Sequence, residues 1–224
     1  MKVVAVCISK YNELWQVQGV PFYCYTEGYR PILHHDNNDP ERIQYLTGRY
    51  NRAIELALQK FPESEHILVA DSYYLPFVSQ IRGLLTKYST LEASILGASI
   101  WYWDRSHIRA CIRYYDTLSV WDMRGRKWYA EKDLPSGLIR VNGVAACFVF
   151  PVDVWVASGQ FSIPYTEPQA GGTRGLKTAG YRILLDCEDR LWRTHANSPG
   201  IAEFPLWKRV RYSLGDLRRQ IIHR

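Results

Sequence analysis

Apolar and polar positions along this chain fall into blocks whose period switches between that of strands and that of helices. Val3 to Ile8 is an unbroken run of six apolar residues, closed by the polar stretch Ser9-Lys10-Tyr11-Asn12-Glu13. That pattern predicts a buried first strand with a polar loop at its carboxyl end. Phe22 to Tyr25 reads as a second short strand, followed by the polar stretch Thr26 to Asp39, which holds His34, His35 and Asp36. From Pro40 to Lys60 the apolar positions Ile43, Leu46, Tyr50, Ala53, Ile54, Ala57 and Leu58 recur at helical spacing behind a proline, so the segment predicts a helix. A third strand follows at Ile67 to Ala70, then a helix over Tyr73 to Tyr88 and a strand over Ala93 to Tyr102. The order β, β, α, β, α, β predicts a doubly wound, largely parallel sheet flanked by helices.

The middle of the chain is rich in aromatic residues: Trp101, Tyr102, Trp103, Tyr114, Tyr115, Trp121, Trp128 and Tyr129. A turn signal at Arg124-Gly125-Arg126, between 118–123 and 127–130, predicts a small antiparallel hairpin. Core packing accounts for most such rings. The polar handles on Trp and Tyr also suit a surface on which sugars stack, with Trp101, Trp103 and Trp121 as candidates. Beyond Gly137 the chain returns to apolar runs, with a strand predicted at Tyr181 to Leu185 ahead of Trp192-Arg193-Thr194-His195.

With 224 residues, 47% of them hydrophobic, the chain is long enough for one domain with a substantial core and too short for two of full size. Met1-Lys2 and the short run behind it read as a first strand, unlike a signal peptide, and no apolar run approaches the roughly 18 residues of a membrane span. Five cysteines, Cys7, Cys24, Cys111, Cys147 and Cys187, are odd in number, widely spaced and mostly within apolar runs. They read as buried thiols in a reducing compartment, so the expected location is the cytoplasm.

Charge separates the tail from the body. Between Pro205 and Arg224, Lys208, Arg209, Arg211, Arg218, Arg219 and Arg224 face Asp216 alone, which accounts for five of the net +6. A nearly neutral body argues against nucleic acid as a partner. In the tail, Trp207, Val210, Leu214, Leu217 and Ile221 are spaced three and four apart, which predicts a basic amphipathic helix over 206–224. Such a helix either packs on its own domain or lies on an anionic membrane surface, giving the protein a peripheral hold there.

The candidate chemistry centres on His66-Ile67-Leu68-Val69-Ala70-Asp71-Ser72-Tyr73-Tyr74-Leu75-Pro76. A buried strand that ends in an acid delivers that acid to the sheet's carboxyl edge, where ligands of open α/β sheets bind. The same Asp71 would also serve as a cap for the segment that follows.

Four stretches in order resemble the nucleotide-sugar glycosyltransferases of the GT-A fold, particularly the large inverting family that transfers sugars to lipids, polysaccharides and proteins. Val3 to Glu13 is similar to that family's opening strand and its Tyr-Asn-Glu-like loop. Gly48-Arg49-Tyr50-Asn51-Arg52-Ala53-Ile54 resembles its Arg-Asn helix, and Ile67 to Pro76 stands where its DxD strand would be. Asn142-Gly143 through Phe161, then Glu167, Gly180-Tyr181-Arg182-Ile183 and His195, resembles its acceptor-side half with a "Gly-x-Phe". The likeness covers about residues 1 to 197. It departs at Tyr73, which takes the place of the second DxD carboxylate, and at Glu167-Pro168, where the family has an acidic pair.

The resemblance implies a Rossmann-like GT-A domain over 1–204, with a nucleotide-sugar-binding half at 1–100 and an acceptor half at 101–204, and the tail helix at 205–224 beyond it. It implies a nucleotide-sugar donor held by Asn12, Glu13, Arg49, Arg52, Asp71, Ser72 and Tyr73. The acceptor it implies is a carbohydrate, a lipid-linked molecule or a protein. Glu167 would be the general base. A divalent cation, Mn²⁺ or Mg²⁺, would rest on Asp71 and His195, with the loss of a carboxylate at Tyr73 weakening that site. Two rivals stay open: a catalytically inactive nucleotide-sugar-binding protein of the same fold, and a nucleotidyltransferase. The second usually needs a Gly-rich basic loop after the first strand, which Ser9-Lys10-Tyr11-Asn12 is not.

Overall fold

The computed structural model describes residues 1–9, 17–29, 40–70, 78–104, 111–114, 135–144, 147–161 and 180–192, together with Met123, Leu176, Val210 and Leu214. The elements in chain order are β1 (Val3–Ile8), β2 (Phe22–Tyr25), α1 (Pro40–Lys60), β3 (His66–Ala70), α2 (Val78–Tyr88), β4 (Ser94–Asp104), β5 (Cys111–Tyr114), β6 (Leu138–Arg140), β7 (Cys147–Pro151), α3 (Val152–Ala157) and β8 (Arg182–Trp192). The chain is an α/β protein whose mixed sheet, seven strands ordered β2-β1-β3-β7-β4-β8-β6 with β5 paired to β4 off that path, is flanked by helices.

β1 is buried at all six positions, because a strand covered on both faces has no use for polar alternation. Its even-numbered residues Val4, Val6 and Ile8 join Ala53, Ile54 and Ala57 of α1 and Val154 and Trp155 of α3 in one cluster. Val3 and Ala5 face the other way, into a second cluster with Ile81, Leu84, Leu85 and Tyr88 of α2. The sheet is thus the middle of three layers, with α1 and α3 on one face and α2 on the other.

The largely parallel sheet expected from the sequence is corrected to a mixed one. β1 pairs in parallel with β2 and β3, and β4 with β8, but β7 runs antiparallel between β3 and β4. β6 is antiparallel to β8, and β5 is antiparallel to the far end of β4, on the flank that β7 occupies lower down. β7 reaches its central place because the chain between β6 and β7 crosses the sheet over Gly97. A Cβ at that glycine would stand 2.5 Å from Val144 Cβ, so the crossing needs a residue without a side chain there.

The β4–β5 pair is an antiparallel element in the aromatic region, with Trp101 opposite Tyr114 and Trp103 opposite Ile112. The hairpin expected at 118–130 lies outside the described residues except for Met123. β8 carries a bulge: Ala98 faces Asp186 and Ser99 faces Arg190, so 187–189 are extra residues on one strand. Among the described residues no helix is long and apolar enough to cross a membrane. In the tail, Val210 and Leu214 are helical and exposed; the rest of 205–224 lies outside the described residues.

Candidate functional site

β1, β2, β3, β4 and β8 all run the same way, so their carboxyl ends share one edge of the sheet. At that edge β1 and β3 are neighbours, with Val6 opposite Val69. The connection leaving β1 places Val17 in the α2-side cluster, whereas α1, which leaves the carboxyl end of its parallel neighbour β2, covers the opposite face. When adjacent parallel strands send their connections to opposite faces, a crevice opens outside their carboxyl ends, and ligands bind there. Asn12 and Glu13 follow β1 in sequence, and Asp71, Ser72 and Tyr73 follow β3 directly. All five lie outside the described residues.

Arg49 is buried on α1 and reaches the neighbouring strand end. Its Nη2 donates to the carbonyl of Tyr25 at 3.2 Å, and its Nη1 to the carbonyl of Glu27. The guanidinium stands over the rings of Tyr25, Tyr45 and Tyr29, at 4.5, 5.5 and 5.6 Å from their centroids. The Tyr25 carbonyl also accepts from Ser9 N–H at 3.2 Å, so Arg49 sits beside the point where the chain leaves β1. Carbonyl dipoles and ring faces partly solvate this buried cation. Among the described residues no carboxylate pairs with it, and its Nε has no hydrogen-bond partner there. The arrangement puts a guanidinium beside the crevice while fixing the turn after β2.

Arg52 stands apart from that cage. It is exposed, and its Nη1 pairs with Glu55 Oε2 at 3.2 Å along the helix. The other Glu55 oxygen accepts from Gln160 Nε2. One turn earlier on the same side of α1, Asn51 Nδ2 donates to the Phe161 carbonyl at 3.0 Å, and Phe161 N–H donates to Asn51 Oδ1 at 2.8 Å. α1 therefore grips the chain just past α3 with two side chains, Asn51 and Glu55.

That corner is built from the local sequence. α3 ends in a Schellman turn, in which Gly159 N–H reaches the Val156 carbonyl at 3.0 Å and Gln160 N–H the Trp155 carbonyl at 3.1 Å. Gly159 takes φ +65° without penalty, but Gln160 also takes φ +77°, a conformation that costs a residue with a Cβ about 1–3 kcal/mol. The bonds from α1 offset that cost. Phe161 then seats its ring against Phe148 and Phe150 of β7, 6.4 and 6.0 Å away between centroids. Within the "Gly-x-Phe", Gly159 makes the turn, Gln160 is the strained link and Phe161 is the plug. The segment 162–175, which carries Glu167, begins at the next residue and lies outside the described residues, as does His195.

Of the aromatics considered for an acceptor surface, Trp101 has no exposed area. Its ring sits in the core with the Arg190 guanidinium 4.8 Å from its centroid, and its Nε1 donates to Ser99 Oγ at 3.3 Å. A ring without an exposed face has nothing to offer a sugar in this structure. Trp103 is placed by strand register alone, and Trp121 lies outside the described residues.

A cluster not foreseen from the sequence lies at the β8 bulge. Lys87 Nζ stands 3.0 Å from both oxygens of Asp186, 3.0 Å from Asp189 Oδ2 and 3.1 Å from Glu188 Oε2. Burial works against its charge, but the hydrogen bonds to Asp186, Asp189 and Glu188 outweigh it and hold the ammonium above the ordinary lysine range. The spacing Asp186, Glu188, Asp189 was the available signal, though nothing local pairs it with a helix a hundred residues earlier.

Among the described residues no group of three or more His, Cys, Asp and Glu side chains is arranged to hold an ion, and the acidic bulge is occupied by an ammonium. Asp71 and His195 together offer one carboxylate and one imidazole, with a neutral phenol at Tyr73. That set does not match the oxygen-rich shell of Mg²⁺. Compared with known proteins, the chain matches no family model and no curated sequence.

Proposed function

We propose that this chain is a glycosyltransferase of GT-A type, moving a sugar from a nucleotide-sugar donor to an acceptor hydroxyl with inversion. The observation that carries the reading is the juxtaposition of β1 and β3. They are parallel neighbours, so the chain leaves the same sheet edge side by side after Ile8 and after Ala70, next to the crevice between β1 and β2, whose connections part to opposite faces. A nucleoside diphosphate in that crevice would have Asp71 for its ribose and the positive charge of Arg49 one strand away.

The chemistry asked of the residues is modest. Glu167 takes the proton of the acceptor hydroxyl as the oxygen attacks the anomeric carbon. The departing diphosphate gains negative charge, and the Arg49 guanidinium, which no carboxylate among the described residues pairs with, favours it. Asp71 and His195 are short of the oxygen ligands a hard cation needs, so charge neutralisation falls to the guanidinium. Acceptors remain a carbohydrate, a lipid-linked molecule or a protein. The exposure of Val210 and Leu214 on the apolar stripe of the basic tail supports an anionic membrane as a partner. Truncation after Phe204 is then expected to abolish binding to anionic vesicles while the melting temperature holds. A large fall in melting temperature would make the tail a core element instead.

The replacement of the second DxD carboxylate by Tyr73 favours a second reading, a protein that binds nucleotide sugars without turning them over. A hydrolysis screen of nucleotide sugars, with and without Mn²⁺, separates the two, since donor hydrolysis needs no knowledge of the acceptor. Turnover of at least one donor is expected. Binding without turnover would favour the inactive reading, and neither would refute both.

A further inference from the structure

We infer that Cys7 and Cys24 form a dithiol site that a small-molecule disulfide of the glutathione class closes reversibly into a cross-strand bridge. The two residues are register partners on the parallel pair β1 and β2, Cys7 opposite Cys24. Their side chains share a face. Around them Phe22 packs with Ala5 in the α2-side cluster, while Val6, Ile8, Tyr23 and Tyr25 pack in the α1-side one, so strand alternation turns both thiols to the α2 side. Paired strands lie about 4.8 Å apart, inside the roughly 4.4–6.8 Å that a disulfide spans between Cα atoms. Cys147 is opposite Ala70 on β3, so it stands at least two strand spacings from Cys7, about 9.6 Å and past the reach of a bridge. Cys187 belongs to the α1-side cluster. Among the described cysteines, Cys7 and Cys24 are therefore the pair that can join.

Access orders the reaction, since Cys7 is fully buried and Cys24 half-buried. The Cys24 thiolate attacks the external disulfide, forming a mixed disulfide and displacing one small thiol. Cys7 then attacks Cys24 Sγ and displaces the second. Two protein thiols are oxidised, the external disulfide is reduced to two thiols, and the protons of Cys7 and Cys24 end on those released thiols. Side chains paired across parallel strands stand about 4.8 Å apart, whereas the Cβ atoms of a disulfide are about 3.8 Å apart, so closure draws the strand ends together by about 1 Å. A bridge closed against such a pull is readily reduced again, which makes it a responsive link and a poor permanent staple. The pull falls at the mouth of the crevice. Ser9, two residues after Cys7, donates its N–H to the Tyr25 carbonyl at 3.2 Å, and that carbonyl, next to Cys24, also accepts from Arg49 Nη2 at 3.2 Å. Oxidation thus moves the anchor of Arg49 relative to β1, whatever occupies the crevice.

The test uses the full chain, equilibrated in buffers of reduced or oxidised glutathione, alkylated and read by mass spectrometry. In the oxidised buffer the thiols counted after unfolding are expected to fall from five to three, with the peptides that carry Cys7 and Cys24 joined, and dithiothreitol is expected to restore all five. Cys24→Ser is expected to keep its remaining thiols, and Cys7→Ala to trap glutathione on Cys24, because the second attack is then impossible. The wild-type peptide map decides the matter even where a variant folds poorly. Five thiols at every ratio of the buffers, a bridge between other cysteines or between two chains, or a glutathione adduct that persists in the wild type overturns the proposal. Amide exchange at Ser9, followed by NMR, is expected to slow in the oxidised protein, and unchanged exchange would overturn the link to the crevice mouth. No nucleotide enters these measurements, so the dithiol stands or falls apart from the glycosyltransferase reading.

Discussion

Lys87 holds both carboxylate oxygens of Asp186 at 3.0 Å, and Asp186 has no exposed surface. The pair spans α2 and β8 and is closed at the main chain, where Asp186 Oδ1 also accepts from Glu188 N–H at 3.0 Å. Gly83, one turn before Lys87, lets the helix come this close, since a Cβ there would stand 2.7 Å from Asp189 Oδ2. Lys87→Met would strand a buried carboxylate, and losing one partner of such a pair costs about 3 kcal/mol. In a chain of this length that is a fall of about 6–12 °C in melting temperature. Adding Asp186→Asn is expected to restore part of it, and a Lys87→Met variant melting with the wild type would show that the pair contributes nothing.

His66 predicts how stability depends on pH. Burial lowers its pKa below the ordinary 6.5, outweighing the opposing pull of Glu65. Its ring meets the edge of Tyr88 at 5.3 Å, and its Nδ1 is buried without a hydrogen-bond partner among the described residues. The unfolded chain therefore binds this proton more readily than the folded one, so stability is full above about pH 6.5 and declines as pH falls below it. The slope from one such group is at most about 1.4 kcal/mol per pH unit. Urea titrations at pH 5 and 8 should show the decline in the wild type and a smaller one in His66→Gln. Equal declines would assign the effect to other groups.

The Glu167 assignment is tested by Glu167→Gln, which keeps the shape and removes the basicity. Loss of a general base costs about 10²- to 10⁴-fold in rate. Donor affinity, made across the sheet edge at Asp71, should be unchanged. Full turnover by the variant would end the assignment and direct attention to Asp104 and Asp153.

Much of the framework was legible in the sequence, for reasons that also explain what was not. α1 shows its bounds because Pro40 opens it and its apolar positions keep helical spacing to Leu58. β1, β2 and β3 are short apolar runs closed by polar residues, and all three were found. The direction of β7 was hidden, because Cys147 to Phe150 is apolar at every position and reads alike up or down the sheet. That direction is set upstream, at β6, which already runs antiparallel to β8, and the short connection that packs over Gly97 carries the chain on in the same sense to β7.

The candidate site was legible in part for similar reasons. Arg49 was picked out by type, but its cage depends on Tyr25, Tyr29 and Tyr45, which converge only in the fold. Trp101 belonged to an aromatic run whose members look equivalent until strand register sends one of them inward. Asn51 and Phe161 each lay within a stretch singled out from the sequence, yet nothing local announces a pairing between them.

The central claim is that the crevice at the carboxyl end of β1, beside the end of β3, binds the nucleotide portion of a sugar donor through Asp71. The most direct measurement is thermal unfolding of wild type and Asp71→Ala across a titration of nucleoside diphosphates. A ligand at a hundred times its Kd adds about 2.7 kcal/mol to the folded state. A strand-end carboxylate contributes little to the core, so the two proteins should melt alike without ligand, and only the wild type should gain several degrees with it. Equal stabilisation of both, or none in either with any nucleotide, would contradict the account.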